Sequence, residues 1–180
     1  MNIKNTNQSY GLLSITIHWV MALFIFFMFG LGLYMVELTY YDSWYKGSLD
    51  LHKSLGLMLF FLLNVRLIWR FSNIRPITLS ATRWVAIAGH TAHFLLYGVT
   101  IVLMLSGYFI STADGRDIEV FNLFRLPALP FSIENQEDIA GDIHEVLAWG
   151  LMTLVAIHIS AALKHHFLDK DRTLIRMLKP

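Results

Sequence analysis

Four apolar runs, each long enough to cross a lipid bilayer, constrain this chain more than any other feature. They cover about 12–36, 51–71, 84–111 and 139–167. A helix rises about 1.5 Å per residue, so about 20 mostly apolar residues span a hydrocarbon core of about 30 Å. The composition agrees. Of the residues, 56% are hydrophobic and only 15% are charged, with a mean hydropathy of +0.53, whereas a soluble domain carries about 25% charged residues. The breaks carry turn chemistry. "IRPITLSATR" holds a proline and capping hydroxyls, "STADGR" stops a helix, and "RLPALP" excludes a regular one. Lys4 precedes the first run, but that run is too long for a signal peptide and no small-residue cleavage site follows it. We expect an all-α membrane protein. The expected architecture is a four-transmembrane-helix bundle forming one domain over 1–180, with an outer loop at about 112–138.

Charge placement orients the bundle. With the N-terminus inside, Lys4, Arg66, Arg70, Arg75 and Arg83 fall on the cytoplasmic side, with Lys164, Lys170, Arg172, Arg176 and Lys179. Only Lys46, Lys53, Arg116 and Arg125 fall outside, and ten against four is a positive-inside distribution. Both termini are therefore expected to be cytoplasmic. Asp169 and Asp171 are inside and the other eleven acids outside, which makes the outer face acidic. Tyr40, Tyr41, Trp44 and Tyr45 are expected in the outer aromatic belt. Nothing resembles a basic nucleic-acid face.

Against this apolar background the histidines stand out, because an ionisable group in hydrocarbon is costly and marks a functional site by default. His18 lies one to two turns into the first run, on the inner side. His52 and His144 are expected to start the second and fourth helices on the outer side. His158 follows His144 by fourteen residues. Fourteen steps of about 100° fall about 40° short of four turns, with a rise of about 21 Å, so both imidazoles share a face at different depths. The set forms two pairs, His18 with His158 and His52 with His144, each drawn from two helices. That arrangement clamps two planar groups. Haem is the obvious one, and without cysteine it must be non-covalent, b-type. Zinc wants a tetrahedral cluster at one depth, which two separated pairs do not supply.

Smaller hints accompany the pairs. Each of the four histidines has a small residue four positions on: Ala22, Gly56, Ala148 and Ala162. Arg66 projects from nearly the same face as His52 at the inner depth, where it could pair with haem propionates or snorkel to headgroups. His90 and His93 could be alternative ligands, a quinone hydrogen-bonding site or interface residues. The interface reading leads, and His93 is the better functional candidate because "HTAHFLLY" places it deeper. His165 and His166 fit a solvated helix exit. Gly30 and Gly32 suit close helix packing. Lys53, beside His52, could contact the outer haem or an anion. The apolar "VFNLFRLPALPF" reads as a lipid-surface loop ahead of a binding cover.

The chain resembles the bacterial cytochrome b561 family of four-helix di-haem inner-membrane proteins, over essentially all 180 residues. The carrying pieces are "SITIHW", "LHKSLGLMLFFLLNVRLIWR", "GHTAHFLLY", "DIHEVLAW" and "AIHISAALKHHFLDKDRTLIRML". In the family the axial ligands match His18, His52, His144 and His158. The resemblance implies two haems b and electron exchange between a periplasmic donor or acceptor, superoxide among them, and the ubiquinone pool. It also admits an electron-relay role for a periplasmic isoprenoid-binding, lipocalin-like partner. A non-redox histidine proton relay or scaffold is the remote alternative, and it predicts a colourless protein.

Overall fold

The computed structural model describes residues 2–79, 82–131 and 133–180. Four helices carry the chain: α1 (Leu12–Val36), α2 (Tyr45–Ser72), α3 (Arg83–Ser111) and α4 (Gln136–Phe167). All four are long and apolar enough to cross a membrane. Many of their large side chains are exposed, Leu23 at 69%, Ile68 at 66%, Phe94 at 75% and Val146 at 70% among them. Such surfaces are stable against lipid tails, and packing of small and hydroxyl side chains then holds helices together. Among the described residues, five of the six buried polar ones are hydroxyl-bearing, Ser48, Ser54, Thr100, Ser106 and Thr112, and the sixth is Gln136.

Helix α1 has the expected bounds, but the others start earlier. Helix α2 begins six residues before the apolar run at 51, α3 one residue before 84, and α4 three residues before 139. His52 and His144 therefore do not start their helices. They lie two turns inside α2 and α4 respectively. The added residues, "YKGSLD" and "QED", are mostly polar, so the helix extends where the apolar run does not. Glu137 and Asp138 sit in the first turn of α4, where acidic charge complements the helix dipole. At α3, Thr82 caps the helix by accepting from the Val85 N–H at 3.4 Å. Ser80, another hydroxyl of that linker, lies outside the described residues.

The expected outer loop contains a small antiparallel hairpin, β1 (Ile118–Val120) and β2 (Phe124–Leu126), with Glu119 opposite Arg125. Its tip holds Phe121 and Asn122 at positive φ, 49° and 58°. A bulky residue in that region is unusual. The Phe121 N–H donates to the Ser54 hydroxyl on α2 at 3.0 Å, which pins the tip. Ile118 and Val120 are buried, while Leu123, Phe124, Leu129 and Phe131 are exposed. The segment is thus partly cover and partly apolar surface rather than a plain lipid-surface loop.

The chain divides into two compact units. The first comprises Met1–Met21, Leu62–Val99 and Gly150–Pro180. Its core includes Ile15, Ile17, Met21, Leu63 and Leu151. Its ends are woven together by backbone groups. The Ile77 N–H donates to the Asn7 carbonyl at 2.9 Å, Arg176 donates to the Ile77 carbonyl at 2.8 Å, and Trp19 Nε1 donates to the Met177 carbonyl at 2.7 Å. The second unit comprises Ala22–Phe61 and Thr100–Trp149, with a core of Met28, Leu31, Leu59, Leu103, Ile118, Val120 and Ala140. Gly30 has open space around it, so close packing does not explain that glycine.

Candidate functional site

Two histidine pairs form, one in each unit. In the first unit, the rings of His18 (α1) and His158 (α4) have centroids 6.3 Å apart. In the second, His52 (α2) and His144 (α4) have centroids 6.2 Å apart. These spacings have a simple chemical meaning. A metal–imidazole nitrogen bond is about 2.0 Å and the ring centre lies about 1.1 Å beyond the nitrogen, so two imidazoles flanking one iron need centroids about 6.2 Å apart. The interplanar angles of 65° and 67° are unconstrained by this requirement, because each ring can turn about its own bond.

In the pair of the second unit, the tautomer of His144 is fixed by its surroundings. His144 Nδ1 lies 3.1 Å from the Leu103 carbonyl on α3. A carbonyl only accepts, so Nδ1 carries the proton and Nε2 keeps its lone pair. The Ser106 hydroxyl is also 3.1 Å from Nδ1, and it donates to the same Leu103 carbonyl at 2.8 Å. On the other side, the buried Nδ1 of His52 has no hydrogen-bond partner among the described residues. Two glycines back the rings. A Cβ at Gly107 would lie 3.2 Å from His144 Cε1, and one at Gly32 would lie 3.5 Å from His52 Cε1. Gly32 thus does serve close approach, against an imidazole. Gly56, one turn after His52, would instead meet Met28 Cε at 3.7 Å.

The pair in the first unit needs one rearrangement. Arg66 Nη2 sits 2.9 Å from His18 Nδ1, and Arg66 Nε donates to the Tyr97 hydroxyl at 2.9 Å. A guanidinium cannot accept, so here His18 Nδ1 accepts and its proton sits on Nε2. For Nε2 to bind iron, that proton must move to Nδ1 and Arg66 must turn away, which frees a guanidinium for a carboxylate such as a propionate. Arg70 joins the cluster, with its guanidinium 5.4 Å from the Tyr97 ring centre.

The remaining histidines separate clearly. His93 lies 5.5 Å from His158, and its Nδ1 donates to the Gly89 carbonyl at 2.8 Å, leaving Nε2 as an acceptor. That separation is shorter than an intervening iron requires, which favours His18 over His93 as the partner of His158. His90 is exposed and, among the described residues, bonds its own helix through the Ala86 carbonyl at 2.7 Å. His165 lies 3.0 Å from carboxylate oxygens of Asp169 and Asp171, so it meets charged partners at the helix exit rather than water alone. Lys53 is half-buried, 3.3 Å from Asp50. Ser106, Gly107 and Tyr97 drew no attention in the sequence. All three lie on α3, which supplies none of the four paired histidines, and nothing along the chain ties them to residues on α2 and α4.

Comparison with known proteins adds the chemistry. The family model described as prokaryotic cytochrome b561 matches residues 9–180. "Cytochrome b561 homolog 2" of Escherichia coli (strain K12) is 45% identical over 182 residues, 99% of this chain and 95% of that protein. "Cytochrome b561 homolog 1" of the same organism is 29% identical, covering 91% of this chain and 93% of the relative. "Probable superoxide oxidase CybB" of Yersinia pestis is 26% identical, covering 96% and 97%.

Proposed function

Because the chain belongs to the prokaryotic cytochrome b561 family, whose members bind haem b and carry electrons, we propose that it is a di-haem electron carrier of the inner membrane. His18 and His158 ligate one non-covalent haem b, and His52 and His144 ligate the other. The observation that carries this reading is the centroid spacing of both pairs, 6.3 Å and 6.2 Å, at the value a shared iron demands. The whole chain then acts as one membrane domain. A bis-imidazole haem has no open iron position and exchanges single electrons.

The chain's own residues set the rest. The first unit carries ten basic and two acidic side chains, and the second four and eleven. The positive-inside rule puts the ten basic side chains counted first, with both termini, at the cytoplasmic side. Leu103 fixes the proton of His144 on Nδ1 and so orients Nε2. Arg66 releases His18 and holds a propionate. His93 offers Nε2 as an acceptor for a ubiquinol hydroxyl, with its own proton held by Gly89. Electrons run between a periplasmic reactant and the ubiquinone pool. The name of the Yersinia relative makes superoxide one such reactant. Eleven acids repel an anion there, so its approach depends on local cations, of which Lys53 adjoins His52.

The test is a reduced-minus-oxidised spectrum of the detergent-purified protein, with haem quantified per chain. The expected result is two haems b, with His18→Ala and His158→Ala removing one, and His52→Ala and His144→Ala the other. A colourless protein from haem-replete cells would overturn the reading, as would single variants that keep both haems.

A further inference from the structure

We propose that Ser106 is a positioning residue that sets the electron affinity of the His52–His144 site through the Nδ1–H of His144. The inference rests on the reading that this pair holds a haem. Three observations carry it. Ser106 is buried, at 5% exposure, so its hydroxyl meets no competing water. That hydroxyl lies 3.1 Å from His144 Nδ1 while giving its own proton to the Leu103 carbonyl at 2.8 Å. With its proton spent, its lone pairs are what it can offer the imidazole N–H. The facing ligand differs: among the described residues His52 Nδ1 has no partner at all. The two imidazoles are therefore unequal donors, and the inequality is built on α3, which supplies no ligand to the pair.

The chemical consequence has a definite sign. Each acceptor at Nδ1–H makes the imidazole more basic and a stronger donor to the metal at Nε2. A stronger donor favours the ferric over the ferrous state and lowers the midpoint potential. His144 has two acceptors, the Leu103 carbonyl and the Ser106 hydroxyl, and Ser106→Ala removes one. A net hydrogen bond is worth about 1 kcal/mol, or about fivefold in an equilibrium constant. At a fixed poise the reduced-to-oxidised ratio of this haem should rise about fivefold, which is about 40 mV at 59 mV per tenfold.

The experiment is a redox titration of the detergent-purified, haem-loaded protein and of Ser106→Ala and Ser106→Thr. The two haems are assigned from the bands lost in His144→Ala and His18→Ala. The expected result is an upward shift of the His52–His144 haem alone in Ser106→Ala, with the wild-type potential kept in Ser106→Thr. No shift in Ser106→Ala overturns the proposal. So does an equal shift of both haems, or a shift in Ser106→Thr that matches Ser106→Ala. Where Ser106→Ala loses the haem outright, retention at the wild-type potential in Ser106→Thr upholds the hydroxyl's role. Loss in Ser106→Thr as well reduces Ser106 to packing and overturns it. A wild-type spectrum unchanged by His144→Ala is a separate failure, that of the haem assignment itself.

Discussion

Replacing Gly107 with alanine should strip haem from the His52–His144 site while leaving the helix that carries the change more stable. The new Cβ would lie 3.2 Å from His144 Cε1 and 3.4 Å from its Nδ1. Ordinary carbon contacts run at about 3.5–4.0 Å, so the ring must give by a few tenths of an ångström. It has little freedom to do so, because Nδ1 is held 3.1 Å from the Leu103 carbonyl. The 6.2 Å spacing to His52 leaves no slack around one iron. Overpacking of this kind costs about 1–3 kcal/mol, which is about 5- to 150-fold in haem affinity. The same substitution raises helix propensity by about 1 kcal/mol, which offsets the lower end of that strain in the apoprotein. Haem per chain, the band assigned to this site and the thermal midpoint of the apoprotein are the readouts. Gly98→Ala is the control on the same helix, since nothing lies within 4 Å of its added Cβ. A Gly107→Ala protein with two haems, an unaltered band and an unaltered potential would refute the reasoning. Equal haem loss in Gly98→Ala would refute it too.

Three further outcomes are expected. Arg66→Gln removes the charge beside His18 and should lower the potential of the His18–His158 haem alone, because a nearby cation disfavours the ferric state; an unchanged titration would mean that Arg66 serves headgroups instead. The Asp42 carboxyl is held below its ordinary value by hydrogen bonds from the Thr39 hydroxyl and N–H. A depressed carboxylate stabilises above its unfolded pKa and loses that contribution as pH falls through the folded value, so the Thr39–Asp42 turn should be cut faster by an acid-stable protease near pH 3 than at pH 7, and Asp42→Asn should abolish the difference. Leu63→Ala, at a position only 2% exposed, should cost about 2–5 kcal/mol of stability in detergent unfolding, whereas Phe94→Ala on the exposed face should cost far less.

The four spans were legible because hydrocarbon imposes one rule on sequence, about 20 apolar residues in a row. The same signal misplaces helix starts. It registers where lipid begins, while the helices at Tyr45 and Gln136 form on polar residues. The pairing of histidines was legible because two of them share α4, where fourteen residues fix their relative angle. Ser106 and Gly107 were not, and Gly32 was legible only as a close-packing glycine, because their roles depend on how α3 and α1 are rotated against α4 and α2. Nothing in a single chain's spacing encodes that rotation. The hairpin escaped for another reason. Its strands are three residues each and its turn uses Phe121–Asn122 instead of a glycine-bearing pair.

The weave at the chain ends bears on how the protein is made. Ile77 gives its N–H to Asn7 and takes a hydrogen bond from Arg176 on its carbonyl. One linker residue therefore joins a segment synthesised before α1 to one synthesised after α4. The Nε1 proton of Trp19 waits for the Met177 carbonyl in the same way. During translation the Asn7–Ile77 bond can close early, but the Ile77 carbonyl and Trp19 Nε1 lack their partners until the segment after α4 has been made. The last bonds of the cap thus close only after His158 of α4 has been synthesised. Chain connectivity alone thus places the closing of these two bonds after the synthesis of α4.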